Sequence, residues 1–259
     1  MKEMIIVRKI FQIALVVCAL SIFSLAAANV GNGYIEAEGV VYYEKGMQPN
    51  AMRRIAVMDA YRYLAEEVDN LHVTAESTVR NMRDLDDVIN TKVEALLRGA
   101  KVTSVTRASD GSFHALVRMP MYGGSQSLAS AVLQENIPVE DFPKPKFTNI
   151  SSEINYTGLV IDCRSLNLTP AVAPTIKSAA GVEIYAYKNI GYQNAVSKGV
   201  VEYADSLNSP RAGDSPLVVK AVKISGSCDV VVSEADAEKI LAANVATNIL
   251  ANCAVVLVR

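Results

Sequence analysis

The stretch "AMRRIAVMDAYRYLAEEVDNLHVTAEST", residues 51–78, decides how this chain is read. Its first two-thirds repeat apolar residues at helical spacing. Ile55, Met58, Tyr61, Leu64, Ala65 and Val68 fall together, which predicts one buried stripe. Arg53, Arg54, Arg62 and Glu66 occupy the remaining surface. Pro49 and Asn50 punctuate the entry to the helix. The tail, "LHVTAEST", alternates apolar and polar positions and predicts a short strand. A helix delivered straight into a strand is scaffold for an α/β unit, with charges pointing outward.

The flanks extend that unit. Upstream, "YIEAEGVVYYE" is a β-rich opening. Downstream, Asp86 or Asp87 is placed to cap a second helix, "VINTKVEALLRG", by accepting from its free N–H groups. Gly99 ends that helix at a position where a left-handed residue is often required. "AKVTSVTRASDGSFHALVRMPMYG" then reads as a hairpin with Asp110-Gly111 in its turn. Phe113, Ala115, Val117 and Met119 line one face, and His114, Leu116 and Arg118 the other.

Residues 132–156 carry Pro138, Pro143 and Pro145 and hold no regular period, so they read as a linker. This divides the chain into a first domain at 34–123, a short helix and Pro-rich linker at 124–156, and a second domain at 157–259. The second domain opens on the buried-strand run "TGLVIDC". It continues through "VEIYAY", "PLVVKAVKIS" and "CDVVV", and closes on "CAVVLVR". Ser233 is placed as the N-cap of "SEADAEKILAAN", with Glu234 and Asp236 at its positive end. The fold class expected is α+β: two small domains, each a sheet with packed helices.

The first 28 residues read as an export signal. Lys2, Arg8 and Lys9 precede an apolar run, and Ala26 and Ala28 stand at the positions signal peptidase reads. Cleavage after Ala28 is expected. An uncleaved anchor helix is one alternative, since the run approaches the shortest spanning segments. Lipidation of Cys18 is another, although Val17 is large for the residue before such a cysteine. All three send the chain out of the cytoplasm.

Composition excludes more than it assigns. With 25 Lys+Arg against 27 Asp+Glu, the net charge is −2, far from a nucleic-acid surface. Cys163, Cys228 and Cys253 each sit in or beside an apolar run and read as small buried hydrophobes. The alternative is one disulfide, with Cys228–Cys253 the favoured pair because both would begin strands of one sheet. No Cys-x-x-Cys spacing occurs, so a zinc ribbon is not indicated.

Residues 34–123 resemble the lipoprotein-20-like family, which is related to the N-terminal domain of flagellar assembly protein T. The likeness lies in "AMRRIAVMDAYRYLAEEV", "VTAESTV" and "GAKVTSVTRASDGSFHALVRMPMYG". The second domain looks like an extension that accompanies this domain in some envelope proteins. The resemblance implies an α/β domain exported to the periplasm or outer membrane of a Gram-negative-type cell. It also implies non-enzymatic work: envelope assembly, surface association or basal-body support.

The side chains that suggest chemistry each have a plainer role. Asp59, Glu66 and Glu67 could be paired carboxylates, but Arg62 between them makes a helix-surface ion-pair ladder. Tyr61 belongs to the core stripe. His72 and His114, the two histidines, lack metal-ligand spacing, though they would approach if their strands paired. "DLDDVINTKVE" lacks the glycine of a calcium loop. The sequons at Asn149, Asn155 and Asn167 are chance matches in a bacterial chain. No catalytic, cofactor-binding or metal residues are assigned, and no cofactor is expected.

The expected function is a cell-envelope protein with a non-enzymatic structural or assembly role, possessing envelope proteins or further copies of itself as partners. Nucleic acid is not a partner, and peripheral membrane association is compatible with this reading. The alternative is a periplasmic ligand-binding module for a small molecule or glycan, seated between the domains.

Overall fold

The computed structural model describes residues 29–31, 33–146 and 155–259. The expected signal, with its Ala28 cleavage site and Cys18, lies outside the described residues. So do residues 147–154 of the linker.

The first unit contains β1 (Asn29–Gly31), β2 (Tyr34–Val41), α1 (Pro49–Asn70), β3 (His72–Thr74) and β4 (Ser77–Thr78). It continues with α2 (Val79–Leu85), α3 (Asp87–Arg98), β5 (Lys101–Arg107), β6 (Phe113–Pro120) and α4 (Leu128–Val132). An antiparallel sheet in the order β1-β2-β6-β5 carries α1 on one face. Ile35, Ala37, Ala115, Val117 and Met119 point into that contact and are buried.

The helix lies on the sheet through a different stripe from the one its apolar residues predict. Met52, Ala56, Ala60, Leu64 and Val68, spaced by four, are the buried residues of α1. Ile55 is 39% exposed and Met58 70%. The reason is close approach. A Cβ on Gly39 of β2 would stand 2.1 Å from the Ala56 carbonyl oxygen and 2.4 Å from the Ala60 nitrogen. Helix and strand backbones nearly touch, and only glycine facing alanine permits that. Small residues therefore take the sheet-facing positions, and the larger Ile55 and Met58 turn outward.

Two local expectations change and a third is resolved. "LHVTAEST" is a tight hairpin of β3 and β4 rather than one strand. The Thr74 hydroxyl accepts from the Glu76 N–H at 3.3 Å, which turns the chain back on itself. Asp86 is the cap of α3, accepting from Val88 and Ile89 at 2.8 and 3.2 Å, while Asp87 lies in the first turn. Gly99 ends α3 in right-handed geometry, φ −86° and ψ −3°, because the chain continues directly into β5.

The second unit contains β7 (Leu159–Asp162), β8 (Ile176–Ser178), β9 (Glu183–Tyr185), α5 (Tyr187–Ile190), α6 (Tyr192–Lys198) and β10 (Glu202–Ala204). After these come β11 (Leu217–Lys220), β12 (Lys223–Ser225), β13 (Asp229–Val232), α7 (Glu234–Thr247) and β14 (Val255–Val258). Strands β10-β14-β7-β11 form a wholly parallel sheet. Strands β12-β13-β8-β9 form a mixed one. Every residue of β13 and β14 is buried, as their apolar runs require, and Asp229 at the head of β13 is paired with Lys177 at 2.8 Å. Ser233 caps α7 as expected, accepting from the Asp236 N–H at 3.1 Å.

"PLVVKAVKIS" serves both sheets. The Ala221 N–H bonds the Asp162 carbonyl at the end of β7, and the Val222 N–H bonds the Val231 carbonyl of β13. The run leaves one sheet and joins the other within two residues. This topology also decides the cysteines. Cys228 leads into β13 and Cys253 into β14, which belong to different sheets. Cys163, Cys228 and Cys253 are free and buried, so the favoured disulfide does not form. Desolvation pushes the Cys163 and Cys228 thiols up to about 12 and raises Cys253 as well, which makes them poor nucleophiles.

Candidate functional site: the seam between the units and the cleft beside it

One hydrophobic core runs through both units, from Ile35 and Leu64 to Leu159 and Leu257. Tyr122, just past β6, is the pivot of the seam. Its ring lies between two glycines, one from each unit. A Cβ on Gly33 would come within 3.0 Å of it and a Cβ on Gly199 within 2.5 Å. Both glycines have positive φ, +80° and +79°. Burial raises the Tyr122 hydroxyl above its ordinary range.

Arg211 faces the same ring, its guanidinium carbon 5.8 Å from the centroid. Its donors are spent on backbone. Nε donates to the Cys253 carbonyl, Nη1 to Lys198 and Nη2 to Gly199, each at 2.7 Å. One side chain thus ties the end of α6 to the approach of β14 and holds Gly199 against Tyr122. A planar fork with five donors suits this task; a lysine ammonium would not.

Backbone bonds stitch the seam elsewhere. The Val172 N–H donates to His72 and the Ala173 N–H to Val73, so β3 pairs with a second-unit segment. Gly123 and Gly124 N–H groups share the Val196 carbonyl. The arm before residue 147 has no regular secondary structure, yet it is laid along the second unit. Glu140 N–H bonds the Lys188 carbonyl, Phe142 stacks on Tyr185 at 4° between ring planes, and Lys146 N–H bonds Glu238.

Beside the seam opens a cleft of about 800 Å³. Lys92 and Leu96 of α3, Lys101 of β5, Arg118 of β6, Ser125 and Gln126 of the following loop, and Tyr192 of α6 line it. Three cations and no carboxylate stand among its lining residues.

The side chains nominated from the sequence do not converge there. Arg62 contacts Asp59 at 3.7 Å and Glu66 at 2.9 Å, the surface ladder expected. Tyr61 donates to the Ala100 carbonyl at 2.8 Å. His72 and His114 sit on β3 and β6, which belong to different sheets, so their strands do not pair. Among the described residues no group of three or more His, Cys, Asp or Glu could hold a metal ion.

His114 does form a constellation that sequence reading missed. Its Nε2 lies 3.1 Å from Ser112 Oγ and its Nδ1 2.8 Å from Glu38 Oε1, the connectivity of a Ser–His–acid triad. The hydroxyl is already committed. Ser112 Oγ donates to Asp110 at 2.6 Å, so its one proton is directed away from His114 Nε2. Ser112 is also 1% exposed. The network braces the hairpin tip, and the Ser112 bonds hold the Asp110 carboxyl below its usual range. A fluorophosphonate probe should leave Ser112 unlabelled, and Ser112→Ala should cost about 1 kcal/mol of stability. Labelling of Ser112 in the folded protein would show a nucleophile instead. Its signal was present in "DGSFH", where alternation puts Ser112 and His114 on one strand face next to Glu38, but only the β2–β6 register reveals it.

Comparison with known families gives two matches. Residues 30–119 match the model of the LPP20 lipoprotein family. Residues 158–259 match the model described as the second domain of Treponema pallidum Tp0624. No curated protein matches the chain. One match falls on each structural unit, with residues 120–157 outside both: an LPP20-like domain, followed by a domain similar to the second domain of Treponema pallidum Tp0624.

Proposed function

We propose that this protein is exported and works at the cell envelope as a non-enzymatic structural or assembly factor, engaging other envelope proteins or further copies of itself. The observation that carries this reading is the joining of an LPP20-like unit to a second unit through one continuous core. Such a body suits a rigid part better than a hinged carrier. It also offers sheet edges. β5 is an edge strand with nearly every residue exposed, and the opposite unit ends at β11, where Val218 is exposed. Free edges are natural pairing surfaces. The likeness to the LPP20 lipoprotein family supports export, as does the leader-like pattern of residues 1–28. A flagellar or outer-membrane setting is the narrower form of the proposal.

Affinity capture of the natively expressed protein from fractionated envelopes, with intact mass from the same sample, tests it. The expected result is recovery with envelope proteins or as a homo-oligomer, on a chain beginning at Asn29. A partner-free monomer in the soluble fraction would overturn the assembly role. A chain beginning at a lipidated Cys18 would replace Ala28 as the processing point and supply a direct acyl anchor.

A further inference from the structure

The cleft contains an arrangement that folding alone does not explain. Lys101 and Arg118 are directly opposed on antiparallel β5 and β6, and Arg118 is opposed on its other side by Glu36. Two cations in register destabilise a strand pair. Glu36 offsets this weakly, since its nearest contact to Arg118 is 3.7 Å and exposed to solvent. Lys92 brings a third cation from α3. Among the described residues, neither Lys92 nor Lys101 has an ion-pair partner within 4.0 Å. A chain with net charge −2 has acids enough to place one here, yet concentrates positive charge in this cleft.

The surroundings specify more than an anion. The Arg118 guanidinium stands 4.4 Å over the Tyr34 ring, which orients its fork. Ser125, Gln126 and Tyr192 add hydroxyl and amide groups around the same space. The loop carrying Ser125 and Gln126 is fixed by the Gly123 and Gly124 bonds to Val196. Both glycines have φ above +100°, which other residues rarely adopt. The cleft volume lies within the range of small-ligand sites.

We infer that this cleft binds a sugar acid. Its carboxylate or phosphate would lie between Arg118 and Lys101, with Lys92 in support, and its hydroxyls would meet Ser125 and Gln126. The anion relieves the repulsion between the opposed cations and accepts charge-assisted bonds from Arg118. This site is independent of the assembly role proposed above.

Calorimetric titration of the purified full chain tests the inference with glucuronate and glucose 6-phosphate, against glucose and inorganic phosphate. Both acid sugars should bind at least about tenfold more tightly than glucose or phosphate, and binding should weaken with salt. Whichever acid sugar binds better names the acid. Lys101→Gln should weaken binding about tenfold while leaving Tm unchanged or raised, because it removes a like-charge contact. Glu36→Gln, which frees Arg118, should strengthen it. Absence of acid-sugar binding would overturn the inference, and inorganic phosphate binding equally well would reduce the cleft to a bare anion patch. A lowered Tm in Lys101→Gln would remove the argument from repulsion.

Discussion

Gly39→Ala should destabilise the whole fold by about 3 kcal/mol or more. The added methyl would meet the backbone of α1, 2.1 Å from the Ala56 oxygen and 2.4 Å from the Ala60 nitrogen. No side-chain rotation relieves a clash with backbone. The helix must lift from the sheet by about an ångström or more, which opens the packing around Ile35, Leu64 and Val117. Overpacking of a close core contact costs about 3 kcal/mol, and more where backbone must move. Chemical denaturation should show that loss. Gly46→Ala is the control: Gly46 also has positive φ, +95°, but an added Cβ there meets nothing within 4 Å. It should cost only about 1 kcal/mol of backbone strain. Equal losses at the two positions would show that close approach is not what Gly39 provides.

Arg211→Ala should loosen the seam. It removes the donors to the Lys198, Gly199 and Cys253 carbonyls and the cation facing Tyr122. Each half-buried bond to a charged group contributes about 1.5–3 kcal/mol, and orphaned carbonyls cost further. A loss of about 3–5 kcal/mol is expected, discounted from the full sum because water can reach part of the site. Arg211→Lys should recover less than half, since one ammonium cannot span three carbonyls set around a fork. Full rescue by lysine would mean that charge, rather than geometry, holds the junction.

Much of the scaffold was legible. The strand run "CAVVLV", the Ser233 cap and the Asp110–Gly111 hairpin depend on near neighbours in the chain, and they stand where local chemistry puts them. The stripe on α1 was legible in period but not in phase. Helical spacing cannot say that Gly39, a residue of another element, demands Ala56 and Ala60 on the contact side. The division of "PLVVKAVKIS" between two sheets was hidden for the same reason, since both halves read as strand. The seam and the cleft were hidden altogether. Tyr122 is joined to Gly33, Gly199 and Arg211, and Lys101 to Lys92 and Arg118, only by strand register and packing. No motif spacing marks either set.

The central claim is that two units matching different family models work as one body. Differential scanning calorimetry of the full chain tests it most directly. One transition, with calorimetric and van't Hoff enthalpies equal, is the predicted result. Arg211→Ala should move that transition down or split it. Two independent transitions in the unaltered protein would contradict the account, for the seam would then join the units without coupling them.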